Sequence, residues 1–317
     1  MHTVYVDSAV NDQVRRERLY NGQIFVFTSR PSTIALIQHA RKMIAAAFGN
    51  LDPRDAQFHM SVEEYVSIVA PLKPQFIHHP ETKGLIQDIL RDFSCDLEKT
   101  YLDVPRLRMV TSDGYLTSGV GYAHHPHRDT WYSAPMCQLN WWLPIYEIET
   151  ECSMAFHPRY WNQAVKNESS SFNYYEWNKS GRKSAAQHIK SDTRKQPHAV
   201  EEIELDPQVR VVCPAGGIVL FSGAQLHSTV PNTSGFSRYS IDFRTVHLDE
   251  VTSMSGAPNV DSKPTGTSLR DFMRGSDLCR LPEEIVRQYD EGSLVEEGLI
   301  FKPDLGDVEK RQVSVVS

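Results

Sequence analysis

Between residues 106 and 246 the chain is a succession of short alternating stretches separated by turn residues, and this constrains its fold more than any other feature. Arg106-Leu-Arg-Met-Val-Thr alternates, as does Met136-Cys-Gln-Leu-Asn-Trp-Trp-Leu-Pro-Ile. Further strands are expected at 153–156, 203–205, 209–213, 217–221 and 239–246. Many short strands with turns between them predict an antiparallel sandwich or barrel. The first hundred residues read differently. A strand is expected at 23–28, behind Asn21-Gly22. Three helices should follow: one after Pro31, with Ile34, Ile37, Ala40, Ile44 and Ala47 on one face and a stop at Gly49; one over 61–70; and one after Pro80, with Leu85, Ile86, Ile89, Leu90 and Phe93 on one face. Short helices are expected at 268–274 and 282–289.

One segment of the strand-rich region carries unusual chemistry: His124-His125-Pro126-His127-Arg128-Asp129-Thr130. Residues two apart on an extended chain point to the same side, so His127 and Asp129 can close on one ion. A third ligand stands 98 residues beyond Asp129, in Phe221-Ser-Gly-Ala-Gln-Leu-His227, where a strand leaving Gly216-Gly217 ends. Two imidazoles and one carboxylate leave half the shell of a six-coordinate ion open, the facial triad of non-haem iron(II) oxygenases. Arg238 follows His227 by eleven positions, in Arg238-Tyr239-Ser240. A guanidinium there can pair bidentately with the distal carboxylate of 2-oxoglutarate, supported by the Ser240 hydroxyl. Arg244 shares the parity of Arg238 and could exchange roles with it, or Arg238 could pair internally with Asp242. Gln138, Asn140 and Trp142 share one strand face and either touch 2-oxoglutarate and line the pocket or pack the barrel. Trp131 and Tyr132 either wall the substrate or pack the rim. His124 and His125 read as loop residues.

The combination of H-x-D, distant histidine and R-x-S resembles the phytanoyl-CoA dioxygenase-like branch of the iron(II)/2-oxoglutarate oxygenases. The matching positions are His127, Asp129, the strand from Gly216 to Phe221, His227 and Arg238. The resemblance covers 105–246 closely and the N-terminal helices loosely. It implies a mainly β fold with flanking helices, a double-stranded β-helix of jelly-roll or cupin-like form. It also implies iron(II), 2-oxoglutarate as co-substrate, dioxygen, and oxidation of an unactivated C–H bond of a small metabolite in specialised biosynthesis. Where many relatives carry Pro-Gly-Ser-His, this chain has Phe156-His157-Pro158-Arg159-Tyr160. Related halogenases replace the carboxylate by a small residue to admit chloride, so Asp129 favours hydroxylation or another oxidative outcome. Two other readings are a non-catalytic jelly-roll binding module and a cupin-type metal hydrolase or isomerase. Cupin-type enzymes usually gather three or four histidines and lack the R-x-S anchor.

On this reading 1–317 is a single oxygenase domain: helical support over 1–104, a barrel core over 105–250 and a C-terminal extension over 251–317. An insert at 163–200 interrupts the core. Residues 163–199 hold seven Lys/Arg against three Asp/Glu, with Phe172, Tyr174, Tyr175 and Trp177 among them. The insert is expected either to form a lid over the barrel mouth or to be a solvated excursion. Residues 252–268 look like a linker and the last dozen look frayed. A net charge of −7 argues against a nucleic-acid partner. Five scattered cysteines (Cys95, Cys137, Cys152, Cys213, Cys279) without a CxxC pair indicate reduced thiols. With no signal-like start and no membrane-length apolar run, a cytoplasmic protein is expected. The oligomeric state stays open, a homodimer included.

Overall fold

A computed structural model describes residues 2–121, 124–181, 192 and 194–296. Two sheets form its centre. The larger holds eight strands: β1 (Val4–Val6), β2 (Ile24–Phe27), β3 (Thr100–Leu102), β4 (Arg106–Val110), β5 (Leu139–Pro144), β8 (Ile218–Ser222), β10 (Arg238–His247) and β11 (Met273–Arg274). Their order is β1-β2-β8-β5-β10-β3-β11, and β4 pairs with β10 beside β3. The smaller sheet places β6 (Met154–Phe156) between β7 (Val209–Val211) and β9 (His227–Thr229). All pairings are antiparallel except β1 with β2. The mainly β fold with flanking helices is as expected.

Strand β10 shows which face is which. Tyr239, Ile241 and Phe243 are fully buried with Phe25, Phe27, Trp141, Leu143 and Leu220, in a core shared with the helices. Those helices are α1 (Asp12–Tyr20), α2 (Pro31–Phe48), α3 (Val62–His78) and α4 (Pro80–Asp92). The alternate residues Arg238, Ser240, Asp242 and Arg244 point to the opposite face, as strand pleating requires. There Ile24, Trp142, Val219 and Phe221 pack on Met154, Phe156 and Val211 of the smaller sheet. The large sheet therefore has an apolar outer face under helices and a partly polar inner face.

Helix α2 stops at Gly49 (φ 65°), where glycine carries no Cβ penalty. The last buried position of its apolar face is Phe48, and Ala47, expected on that face, is exposed. Helix α3 starts at a capping box in which Ser61 Oγ accepts from Glu64 N–H and Glu64 accepts from Ser61 N–H. It runs eight residues past the expected end at Ala70, through Pro71 and Pro74. Both prolines face solvent, where water can satisfy the carbonyls they free.

Three expectations fail. Residues 203–205 form no strand: Glu204 N–H donates to Tyr160 Oη and Leu205 O faces His157 Nδ1, so side chains replace a ladder. Residues 268–274 form a 3-10 turn (Ser268–Asp271) and then β11, not a helix. The stretch read as a linker is tied down by Asp261, which accepts from Arg128, Trp131 and Val165. The segment after it clasps the insert: Tyr174 Oη bonds Asp271, and Tyr175 Oη donates to Asp290 Oδ1 at 2.5 Å. Of the expected insert, 182–191 and 193 lie outside the described residues, as do 297–317 of the extension with the frayed end. No helix among the described residues is long and apolar enough to cross a membrane.

Candidate metal centre

The two histidines meet through the backbone. His127 and His227 form an antiparallel bridge that extends the smaller sheet beyond β9. Asp129 is fixed one step on, its N–H donating to Gly223 O (2.9 Å) while Gly223 N–H donates to Gln138 O (2.9 Å). Gly223 suits this crossing because a Cβ there would lie 3.2 Å from Gln138 Nε2 and 3.5 Å from Asp129 Cβ. His127 Nε2 then stands 3.5 Å from Asp129 Oδ1, and His227 Nε2 3.9 Å from the same oxygen. One ligand atom from each residue falls within 4.8 Å of the others.

The remaining atoms of the three side chains are occupied. His127 Nδ1 faces His125 O at 2.7 Å and His227 Nδ1 faces Gln225 O at 3.0 Å. A carbonyl can only accept, so each Nδ1 carries a hydrogen and each Nε2 is the nitrogen turned to Asp129. Asp129 Oδ2 accepts from Gln138 Nε2 and Asn140 Nδ2, both at 2.9 Å, with Arg244 Nε 3.5 Å away. Oδ1 is left facing the imidazoles. Burial alone would raise the Asp129 carboxyl, but His127, His227 and Asn140 outweigh it and hold it well below the usual range. Burial and the neighbouring His127 push His227 down to about 4, against the pull of Asp129. Two Nε2 atoms and an ionised carboxylate oxygen turned to one point are donors that a divalent metal takes, so the donor set fits one.

A cavity of about 390 Å³ opens on this cluster. Arg238 lines it from β10, with its guanidinium 5.4 Å from the ring centre of Trp142, which also lines it. Arg238 is buried, its NH1 donates to Cys152 O at 3.1 Å, and its Nε has no partner. Burial lowers its pKa to about 10. Ser240 Oγ, on the same strand face, is buried and equally without a partner. Arg244 is differently placed: its guanidinium lies 3.4–3.5 Å from carboxylate oxygens of Asp103, Asp129 and Asp242. Gln138, Asn140 and Tyr132 also line the cavity.

Trp131 does not. It is fully buried with Tyr160, Val165 and Leu226, its indole N–H donating to Asp261 Oδ1 at 2.7 Å. His124 lines the cavity beside Arg108; His125, exposed, borders a smaller pocket nearby. His157 Nε2 lies 3.0 Å from Ser228 Oγ, away from the cavity lining. Residues the sequence did not single out include Lys73, Asp103 and Arg108, which line the cavity, and Asp261, which braces Arg128 next to Asp129.

The phytanoyl-CoA dioxygenase (PhyH) family model matches residues 35–240, about two-thirds of the chain. The chain belongs to this family. PhyH enzymes work with iron(II), 2-oxoglutarate and dioxygen. No curated protein sequence matches. Among solved structures, SnoN, a non-heme alpha-ketoglutarate-dependent epimerase from nogalamycin biosynthesis, is 13% identical with a TM-score of 0.35, covering 86% of this chain and 98% of its own. EvdO2 from Micromonospora carbonacea var. aurantiaca, complexed with 2-oxoglutarate, is 11% identical with a TM-score of 0.42, covering 76% and 92%. ThoJ, a non-heme monooxygenase, is 14% identical with a TM-score of 0.41, covering 95% and 98%.

Proposed function

We propose that this PhyH-family chain hydroxylates, or otherwise oxidises, an unactivated C–H bond of a small metabolite. The observation that carries this reading is the convergence of two imidazole Nε2 atoms on one carboxylate oxygen, with every other ligand-side atom engaged elsewhere. His127, Asp129 and His227 would hold iron(II). With Oδ2 tied to two amides, Asp129 would bind through Oδ1 alone, keeping three positions open for co-substrate and dioxygen. Iron(II) bound there with 2-oxoglutarate and dioxygen supplies the oxidising power for C–H cleavage, with succinate and carbon dioxide as co-products.

Arg238 is the better anchor for the distal carboxylate of 2-oxoglutarate. A buried guanidinium without a carboxylate partner is costly on its own, and an incoming dianion removes that cost. Ser240 Oγ can add a hydrogen bond. Arg244 already serves three carboxylates and instead orients Asp129. Gln138 and Asn140 orient Asp129 as well. Tyr132 and Trp142 wall the cavity. Phe172, Tyr174 and Trp177 line it from the insert, which supports the lid reading of 163–200.

The decisive experiment supplies the chain with iron(II), 2-oxoglutarate, oxygen and a metabolite panel. Succinate should appear in step with a product that gains one oxygen atom or loses two hydrogens. Asp129→Ala should form neither, and full turnover by that variant would sink the assignment.

A further inference from the structure

The charges lining the cavity pair off almost completely. Arg106 meets Asp103 at 2.5 Å and Arg108 meets Asp242 at 2.7 Å. Arg244 lies among Asp103, Asp129 and Asp242, and Arg194 pairs with Asp192. Among the described residues, two lining cations have no carboxylate within salt-bridge distance: Arg238 and Lys73. Arg238 is matched by 2-oxoglutarate in the reading above. Lys73 is left. Its ammonium, on the part of α3 that lies beyond Pro71, donates to the Val120 carbonyl. Burial, reinforced by the positive charges of Arg108 and Arg194 and only partly offset by Asp242, brings its pKa down to about 7. A buried cation in a positive field is stabilised by an anion it does not yet have.

An aromatic wall leads from the metal-binding end towards this positive pole. Tyr132 meets His127 edge-on (ring centres 5.6 Å apart), Phe172 meets Tyr132 (5.4 Å) and Trp177 follows Phe172 (6.1 Å). The Arg194 guanidinium, whose charge is felt at Lys73, sits 5.1 Å from the Trp177 ring centre. Ile77, Val110 and Val120 add apolar lining. We propose that the substrate is a ring-bearing apolar molecule with one anionic group, a carboxylate or a phosphate ester. Its anion is received by Lys73, and its body lies along Tyr132, Phe172 and Trp177. That this ligand is the substrate rests on the oxygenase reading; that the site binds it does not.

The test measures binding calorimetrically on protein loaded with nickel(II), with and without 2-oxoglutarate. The probes are 2-naphthoate, 2-naphthyl phosphate, neutral 2-naphthamide and 2-naphthylmethylammonium. One charge-assisted hydrogen bond predicts that an anionic probe binds about 10- to 100-fold tighter than the amide. Lys73→Met should erase that preference and Lys73→Arg should keep it, with 2-oxoglutarate affinity unchanged in both. Whichever of naphthoate and naphthyl phosphate binds tighter identifies the anion. The proposal is overturned if Lys73→Met keeps the preference, if the amide or the ammonium binds as tightly, or if no anionic probe binds at millimolar concentration. Failure of 2-oxoglutarate to bind would count against the co-substrate reading alone, because the probe titrations without it still decide the role of Lys73.

Discussion

His127 and His227 exchange both of their backbone hydrogen bonds, each N–H donating to the other's carbonyl at 3.0 Å. Residues directly opposite each other in an antiparallel ladder project to the same face. Two imidazoles a hundred positions apart in sequence are thereby brought to ring centres 4.4 Å apart. Phe156 pairs with His227 from the neighbouring strand and stiffens the arrangement.

A site built by backbone pairing does not need its metal in order to form. Metal-stripped protein should therefore keep the far-ultraviolet circular dichroism spectrum of the loaded form. Adding nickel(II) at a hundred times its dissociation constant should raise stability by about 2.7 kcal/mol, seen as an upward shift in Tm. Collapse of the spectrum on chelation would show that the pairing depends on the ion.

The amides that hold Asp129 Oδ2 should control metal affinity without touching the metal. Asn140→Leu removes one of two 2.9 Å hydrogen bonds and frees the carboxylate to rotate. Groups that orient a metal ligand typically contribute 10- to 100-fold in affinity, so a weakening of about tenfold is expected in a competitive chelator titration. Gln138→Leu should act in the same direction, and the Asn140→Asp variant should not restore the bond, because a carboxylate cannot donate.

Arg238 and Arg244 should separate cleanly. Arg238→Ala should weaken 2-oxoglutarate binding by about 10- to 100-fold, the worth of a charge-assisted pair, while metal affinity stays the same. Arg244→Ala takes the shared cation from Asp103 and Asp242, whose side chains are only 5% and 15% exposed, and leaves them to Arg106 and Arg108 respectively. Because each carboxylate keeps one cation, the loss should be smaller than the about 3 kcal/mol of stranding a buried charge outright, and its signature is a lower midpoint in urea unfolding. Reversed behaviour would exchange the two roles.

Why the sequence separates some of these residues and not others follows from the backbone. Period-two spacing placed His127 with Asp129, and Gln138 with Asn140 and Trp142, because each set lies on extended chain. The same reasoning fails past Asp129, which itself opens a 3-10 turn (Asp129–Tyr132) that sends Trp131 to Asp261 while Tyr132 stays on the cavity. Parity alone could not rank Arg238 against Arg244. The difference lies in Asp103 and Asp242, and Asp103 reaches the site from a loop between β3 and β4 that periodicity does not describe. Lys73 stayed hidden because two prolines end a helix in most sequences, and here they face water and do not. The hundred-residue separation of His227 from His127 was crossed only by motif, since no local pattern reports a long-range strand pairing.

Lys73 also makes a stability prediction whose sign is fixed. Its folded pKa of about 7 lies below the ordinary lysine value of 10.5, so between these values the unfolded chain binds the extra proton. Stability must then rise with pH across that window, and the burden of the buried ammonium is fully present below it. Burial is the largest cause of the shift; Arg108 and Arg194 lower it further and Asp242 opposes them. Lys73→Met removes the ammonium, so its stability gain over the parent should be largest at pH 7 and shrink towards pH 10.5. Urea unfolding at the two pH values measures this directly. A gain that grows with pH would mean that Lys73 is held charged by a partner on the folded chain, which would also leave no need for an anion from the substrate.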